Sequence, residues 1–252
     1  MKPKVVAYMI AHYGASYIPY ALKSVIDSVD QAIVLYTPHP SHSHQTDAQC
    51  PESEADILHA ANIGSDKVRT YTLSGIRHEG PQRDYAVEMC KQQGADLVLV
   101  VDCDEVWPAN VLQQALEYAW TQNKARQWLV NMSHLWRGFN HVCRDQGWPV
   151  RILDLRFPLS GSSVGYIPKE FGDIYHFGYA VTNDIMRYKW AIHGHKSELR
   201  PNWFKERWEA WPPPPDCHPT NERGFWNPEP FNKELLPLLM RDHPFYNLEM
   251  VK

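Results

Sequence analysis

Residues 94–107 constrain the fold of this chain more than any other stretch. Residues 97–101 are an unbroken run of apolar residues with high β-propensity, which predicts a strand buried on both faces. The run ends in Asp102-Cys103-Asp104-Glu105. Ligands of open α/β sheets bind at the carboxyl ends of the strands. Carboxylates at that edge, together with substrate phosphates, are a common way to hold a hard divalent cation.

The two aspartates of this motif are separated by one residue. On a regular strand Asp102 and Asp104 would therefore share one face, so that one contacts a sugar or ribose while the other binds the metal. The alternative interpretation is a solvated acidic turn that caps the helix beginning near Pro108. The strongly apolar strand before the motif, and the Arg-bearing helix before that strand, favour the metal and phosphate interpretation.

The composition is that of a folded domain, with 44% hydrophobic and 21% charged residues, which argues against global disorder. No apolar stretch reaches the roughly 20 residues that span a bilayer, and we find no signal-peptide cleavage site. Five cysteines without metal-ligand spacing indicate reduced thiols and predict a cytoplasmic location. The net charge of −4 argues against broad, non-specific nucleic-acid binding.

Hydrophobic periodicity predicts alternating strands and helices. The predicted strands are residues 5–11, 32–36, 68–73, 127–132 and 150–157, the last with one wet face. The predicted helices begin at Ser16 and Pro81 and otherwise cover residues 54–63, 108–121 and 183–192. In a doubly wound sheet the ends of the first two strands, at His12 and Thr37, would hold a nucleotide base.

Four segments occur in a characteristic order: residues 16–25, 29–36, 79–86 and 94–105. Together they resemble family 2-like glycosyltransferases of the GT-A fold, in which a helix with an Arg-Asn/Asp pair precedes a buried strand ending in Asp-x-Asp-Glu. The resemblance covers roughly residues 4–125, half of the chain. It implies an α/β fold of GT-A (Rossmann-like) type, a mixed and mostly parallel sheet flanked by helices.

The resemblance also implies roles for individual residues. Arg83 would contact the diphosphate of a nucleotide-sugar donor, and its neighbour Asp84 the nucleotide. Asp104, with Asp102 as a further ligand or as a contact to the ribose, would hold Mn²⁺ or Mg²⁺. This chain has Thr37 where relatives often carry an acid, so the identity of the donor base stays open.

Many GT-A enzymes complete the metal shell with a histidine from the C-terminal half. His176, His193 and His195 are the three alternatives here. We prefer His176, because it lies in a Tyr-His-Phe-Gly-Tyr run that resembles one found in relatives before an "m-x-x-K" helix, here Met186 to Lys189.

An inverting transferase needs a carboxylate that takes the proton of the acceptor hydroxyl. Asp154, Glu170 and Asp173 are the candidates, and we prefer Asp173 because it neighbours the His176 run. A retaining enzyme needs no such base, and the sequence leaves inversion and retention open.

The predicted domain organisation places a GT-A domain at residues 1–200. Its nucleotide-sugar half would be residues 1–125 and its acceptor half residues 126–200. Residues 201–252 are rich in proline and tryptophan and predict an extended C-terminal wrap or lid, or an oligomer contact, with one helix at residues 233–240.

The predicted activity is transfer of a sugar from a nucleotide-diphosphate donor to a hydroxyl acceptor, most simply a glycan. One alternative acceptor is a hydroxymethylated base in DNA, for which a stretch of basic and aromatic residues would supply phosphate contacts and stacking. That stretch contains Arg187, Lys189, Trp190, Lys196, Arg200, Trp203, Lys205, Arg207 and Trp208. A nucleotidyltransferase is disfavoured because only Gly14 follows the first strand. A catalytically inactive GT-A-like binding module is the alternative of another class.

Overall fold

The computed structural model of the chain describes residues 2–40, 47–144, 148–157, 163–194, 196–220 and 226–252. Within these ranges the α-helices are α1 (Ile18–Val25), α2 (Glu54–Ala61), α3 (Glu79–Gln92), α4 (Ala109–Gln122) and α5 (Asn183–Ala191). The strands are β1 (Val5–Ala11), β2 (Gln31–Tyr36), β3 (Val68–Thr72), β4 (Leu97–Val100), β5 (Glu105–Val106), β6 (Gln127–Leu129), β7 (Met132–Trp136), β8 (His141–Arg144), β9 (Val150–Asp154), β10 (Val164–Tyr166), β11 (Ile174–Tyr179) and β12 (Glu229–Pro230).

A seven-stranded sheet with the order β10-β6-β9-β4-β1-β2-β3 forms the centre of the molecule. Strands β4, β1, β2 and β3 run parallel, whereas β9 is antiparallel to both of its neighbours, β4 and β6. The predicted class, a mixed and mostly parallel α/β sheet flanked by helices, is confirmed. The carboxyl ends of β1, β2 and β4 therefore meet at one edge.

Both faces of this sheet are covered because its central strands are apolar throughout. Helices α1, α2 and α4 pack on one face through residues such as Leu22, Ile57 and Leu112. Helix α3 packs on the other face through Ala86 and Cys90. Strand β3 is the edge, and most of its side chains are exposed.

A second sheet, with the order β12-β8-β7-β11-β5, lies beyond the first. The single strand predicted for residues 127–132 is wrong, because the chain changes sheets within it. Strand β6 pairs in the first sheet, and β7 begins the second, with the buried Asn131 between them.

The predicted wet face of residues 150–157 is also wrong. Strand β9 ends at Asp154, and both Arg151 and Asp154 are buried. Each has an ionic partner, the buried Glu105 for Arg151 and, for Asp154, the exposed Arg156 beyond the end of β9. Alternation of charged and apolar residues therefore does not mark a solvated face here.

The C-terminal segment packs on the second sheet. Strand β12 pairs with β8, and the side chains of Trp203, Trp208 and Trp226 are buried in one aromatic cluster. The single helix predicted at residues 233–240 is wrong, because Pro237 separates two short 3₁₀ turns, Lys233–Leu235 and Leu238–Asp242. The domain division at residue 200 stays a prediction.

The structure bears on the membrane-spanning segments and the disulfides that were considered from the composition. Among the described residues, no helix combines the length and the apolar character needed to cross a bilayer. The five cysteines all lie in described segments, and no disulfide joins them.

His243 anchors the C-terminal segment to the first helical turn. Its ring stacks on Tyr17 with centroids 4.4 Å apart. Its Nδ1 accepts from the backbone N–H of Phe245 at 3.1 Å, so the proton is on Nε2, which donates to the carbonyl of Ser16 at 3.1 Å. Burial lowers the pKa of His243 to about 4.

This burial predicts a loss of stability in mild acid. The unfolded chain takes up a proton near pH 6.5, whereas folded His243 does so only near pH 4, so stability falls as the pH drops between these values. The full effect is about 3 kcal/mol. Urea unfolding at pH 7 and pH 4 should show wild type losing about that much more than His243→Gln, which cannot titrate. Equal losses in both proteins would contradict the prediction.

Candidate active site

A cavity of about 400 Å³ opens at the carboxyl ends of β1, β2 and β4. Most of its polar lining comes from these strand ends, from the start of α3, and from β11 and α5. Its polar and charged side chains include His12, Thr37, Gln82, Arg83, Asp102, Asp104, His176 and Lys189. The cavity therefore gathers groups that are far apart in the sequence at the edge where α/β sheets bind ligands.

Asp102 lies between two guanidinium groups. Arg151 Nη2 is 2.6 Å from its Oδ2, and Arg83 Nη2 is 4.0 Å from its Oδ1. Burial pushes the pKa of Asp102 upward, but the charges of Arg151 and Arg83 outweigh it, and the pKa is below its usual value. Its side chain is 38% exposed, towards the cavity, and presents an ionised carboxylate there.

A buried ion pair between Glu105 and Arg151 holds the turn that carries Asp102. Glu105, with no exposed surface, accepts two hydrogen bonds from Nε of Arg151 at 2.8 and 3.0 Å and another from Nη2. Its Oε2 also accepts from the backbone N–H of Asp102 at 3.3 Å. Burial raises the pKa of Glu105, and Arg151 opposes that rise by stabilising the carboxylate. Arg151 thus fixes the acidic turn, a role that the sequence interpretation missed.

Asp104 and His176 face each other across the turn. Strand β5 pairs antiparallel with β11 so that His176 lies opposite Glu105, and Phe177 N–H donates to the carbonyl of Asp104 at 2.7 Å. Nε2 of His176 is 3.5 Å from Oδ1 of Asp104. The pKa of Asp104 is raised by burial and by Asp102. Burial, with His134 next, lowers the pKa of His176 well below its usual value, so its imidazole is neutral.

These two side chains fit a divalent ion that is shared with a substrate. Two ligands that each bind one ion at about 2.1 Å are roughly 3 to 3.5 Å apart, as Asp104 and His176 are. Within the described ranges no group of three or more acidic, histidine or cysteine side chains could hold a metal. The remaining coordination positions would therefore belong to water and substrate phosphates, as is usual for Mg²⁺.

Gly178 provides the space in which these groups meet. A Cβ at this position would lie 2.5 Å from Cε1 and 2.6 Å from Nε2 of His176, and 2.6 Å from Nζ of Lys189. The room for the His176 ring and the Lys189 ammonium therefore depends on the missing side chain. Gly178 belongs to the Tyr-His-Phe-Gly-Tyr run, but its role follows only from the three-dimensional contacts.

Lys189 places a third cation at the site. Its Nζ donates to the carbonyl of Gly178 at 3.1 Å and is 3.9 Å from Oδ2 of Asp104. The same ammonium lies 4.9 Å from the centroid of the Tyr179 ring. Helix α5, whose N-terminus Thr182 caps, carries it into the cavity.

The predicted base-binding end contains a hydrogen-bonded histidine and two buried polar atoms. Nδ1 of His12 donates to the carbonyl of Thr37 at 2.6 Å, and Nε2 accepts from the hydroxyl of Tyr188 at 2.6 Å. Oγ1 of Thr37 and Oε1 of Gln82 are buried, and within the described structure neither has a hydrogen-bond partner. Asp84 is exposed and does not line the cavity, so Gln82 replaces it as the polar group beside Arg83.

The structure does not bring the three predicted general bases into the cavity. Asp154 pairs in register with Leu97, at the start of β4 and hence at the opposite end of the sheet from Asp102. Glu170 is exposed in a short 3₁₀ turn. Asp173 accepts from the Ser133 hydroxyl at 2.5 Å and lies 3.6 Å from Arg144.

Of the alternative metal ligands, His193 lines the cavity together with His176. His195 lies outside the described residues. The roles of both stay predictions, and the contacts of His176 with Asp104 make it the better placed of the two described histidines.

The stretch considered for DNA binding does not form the expected surface. Trp203 and Trp208 have no exposed surface and therefore cannot stack on bases. Arg187 pairs with Glu209, and Arg200 pairs with Asp216. The two tryptophan rings therefore belong to a hydrophobic core, and the two arginines form ion pairs at its edge.

The chain matches no family model and no curated protein, but it is similar to several solved structures. TarS 1–349 from S. aureus has 12% sequence identity and a TM-score of 0.44, with 75% of this chain and 64% of that chain covered. The same protein was solved in complex with UDP, at 14% identity. This chain thus spans less than two thirds of that one.

Two further solved structures complete the comparison. Glucosyl-3-phosphoglycerate synthase from Mycobacterium tuberculosis, in complex with Mn²⁺ and UDP-glucose, has 15% identity and a TM-score of 0.35 over 53% of this chain and 44% of that chain. Mannose-1-phosphate geranyltransferase from Thermus thermophilus has 12% identity and a TM-score of 0.34 over 61% of this chain and 50% of that chain. Similarity at this level carries no argument about activity, which we argue from the residues of this chain.

A methyl group at Gly178 should disable the site without unfolding the protein. Gly178→Ala forces His176 and Lys189 out of their present positions beside Asp104, because the new Cβ would lie within 2.6 Å of both side chains. We expect Mn²⁺ binding, measured by electron paramagnetic resonance, to weaken at least about tenfold. The matched control is Gly80→Ala, where a Cβ meets nothing within 4 Å. Undiminished Mn²⁺ binding by Gly178→Ala would refute this geometry.

Proposed function

We propose that this protein is a metal-dependent glycosyltransferase that moves a sugar from a nucleotide-diphosphate donor to a hydroxyl acceptor. One observation carries the proposal: Asp104 and His176 converge at 3.5 Å beside an ionised Asp102, in a cavity at the carboxyl edge of the sheet. A carboxylate and a neutral imidazole suit Mn²⁺ better than they suit Mg²⁺, which prefers oxygen ligands.

The charges of the cavity suit a nucleotide diphosphate. Arg83 and Lys189 are two cations in the lining, on either side of the acidic turn. Arg83 is held by Glu79 at 2.6 Å, and its planar guanidinium can bind phosphate oxygens bidentately. A bound divalent ion would neutralise the charge that develops on the leaving diphosphate. The carboxylate of Asp102 would accept hydrogen bonds from ribose or sugar hydroxyls.

The base-binding end supports a nucleoside. The side-chain amide of Gln82 donates from Nε2 to the carbonyl of Ile76 at 2.8 Å, which fixes its orientation and presents Oε1 as an acceptor. Because this oxygen is buried and has no protein partner in the described structure, an N–H or O–H of the ligand would satisfy it. The hydroxyl of Thr37 would serve a second polar group of the same ligand.

We propose the class of acceptor only from the general chemistry of glycosyl transfer. The carboxylates that line the described cavity are Glu52, Glu79, Asp102 and Asp104, and each lies within 4 Å of a backbone N–H or a cationic side chain. We therefore assign no general base. A glycan or another hydroxyl compound is the proposed acceptor class.

The first test is metal-dependent release of nucleotide from a donor. We expect the purified protein with Mn²⁺ to release a nucleoside diphosphate from at least one member of a panel of nucleotide sugars, and EDTA to abolish the release. Asp104→Asn should lower the rate by about two orders of magnitude or more, because it removes the carboxylate from the proposed ion. Asp66→Asn, an equal charge change outside the cavity, is the control.

Either of two results would count against the proposal. Release that EDTA and Asp104→Asn leave unchanged would place the chemistry elsewhere. Absence of both donor binding and release across the panel would favour the inactive binding-module alternative.

The ammonium of Lys189 should act on the donor rather than on the metal. Lys189→Met keeps most of the side-chain volume but removes the charge 3.9 Å from Asp104. Because like charges repel, Mn²⁺ should bind the variant at least as tightly as it binds wild type. The rate of donor cleavage should nevertheless fall by about tenfold or more, since a counter-charge for the diphosphate is lost. If Lys189→Met instead loses Mn²⁺ affinity and rate of donor cleavage to the same extent, the prediction is wrong.

A further inference from the structure

A second histidine lies directly behind His176. Strands β7 and β11 pair in parallel, with His134 and His176 in register. The two Nδ1 atoms are 2.7 Å apart, which is hydrogen-bond distance, and the rings meet edge to face with centroids 4.8 Å apart. Two nitrogen atoms at that distance share one proton, so one ring donates from Nδ1 and the other accepts at Nδ1.

The direction of this hydrogen bond determines what His176 presents to the cavity. If His176 donates from Nδ1, its Nε2 carries a lone pair that faces Asp104 and the cavity. If it accepts instead, neutral His176 carries its proton on Nε2, and the nearest oxygen of Asp104, at 3.5 Å, is beyond the usual N–H···O range. The first arrangement leaves no poorly bonded N–H on His176, and it leaves Nε2 of that ring able to bind a metal.

We propose that His134 is a positioning residue, which accepts the Nδ1 proton of His176 and thereby fixes the tautomer and ring orientation in which Nε2 can bind the ion. The inference rests on the proposed function, because it concerns the same metal. Metal-bound histidines usually donate their second ring N–H to an acceptor, and loss of that acceptor weakens metal binding about 10- to 100-fold. Here the acceptor is a second imidazole rather than a carboxylate or carbonyl.

Aromatic packing holds His134 in place for this role. Trp226, from the C-terminal segment, lies against its ring with centroids 4.5 Å apart and planes tilted by 30°. Tyr179 contacts both histidines edge to face, at 6.1 Å from His134 and 6.0 Å from His176. His134 is 7% exposed, so its ring has little room to take another rotamer.

A pair of variants separates the hydrogen bond from the packing. In His134→Asn the amide oxygen takes the place of Nδ1 and can accept from His176, whereas His134→Phe keeps an aromatic ring but has no acceptor. With Mn²⁺ as the probe, alone and with UDP, we expect His134→Phe to bind the ion about 10- to 100-fold more weakly than wild type. His134→Asn should bind within about threefold of wild type. Equal Mn²⁺ affinity of wild type and His134→Phe would overturn the proposal, as would equal weakening in both variants.

A second measurement reads the tautomer without any variant or metal. Nitrogen-15 spectra of the wild-type protein should show His176 protonated on Nδ1 and His134 protonated on Nε2. The reverse pattern would overturn the proposal even if both variants unfold. Failure of the proposed function gives a different result. If wild type binds no Mn²⁺ and cleaves no donor, the assignment of a metal site is wrong. The tautomer measured by nitrogen-15 spectra then still decides whether His134 orients His176.

Discussion

The short antiparallel pairing between β5 and β11 is the contact on which the site depends. The chain leaves the first sheet at the end of β4 and enters the second at Glu105, so the acidic turn between them belongs to both sheets. This placement gives its two aspartates different surroundings. Asp102 stays at the end of β4, beside Arg151 of β9 and Arg83 of α3, and Asp104 is carried to His176 and Lys189. Without this pairing the motif would be an ordinary turn with two solvated carboxylates.

The buried charges of the turn stabilise one another only as a set. Glu105 and Arg151 are almost fully enclosed, and removing either would leave the other charge uncompensated, at a cost of about 3–5 kcal/mol. Their bidentate geometry leaves Nη2 of Arg151 directed at Asp102 as well. The acidic turn is therefore held in one conformation before any ligand binds, and its carboxylate loses no conformational entropy at binding. Such preorganisation is what electrostatic stabilisation of a transition state requires.

The sequence predicted local elements well and long-range partners poorly. The apolar runs of β1 and β4, and the acids at the end of β4, were recognisable because each depends on neighbouring residues. Arg151 was assigned to a wet face, since alternation shows the period of a strand but not the partner that neutralises a buried charge. Gly178 and His134 gave no signal, because their roles arise from atoms on other strands. The helix predicted at residues 233–240 is wrong at Pro237, where the local rule for proline already indicates a break.

The histidine pair shows how a stability requirement and a functional one are distinguished. Two buried imidazoles that bond to each other satisfy one nitrogen each, and loss of either would leave a buried polar atom unpaired, at about 1–3 kcal/mol. Stability alone therefore explains why His134 and His176 occur together. It does not explain why the second nitrogen of His176 lies beside Asp104 at the cavity, next to a glycine whose Cβ would collide with it. A ring needed only for packing would be better stabilised with that nitrogen bonded to the protein, and the proposed metal ion is a partner that this position would suit.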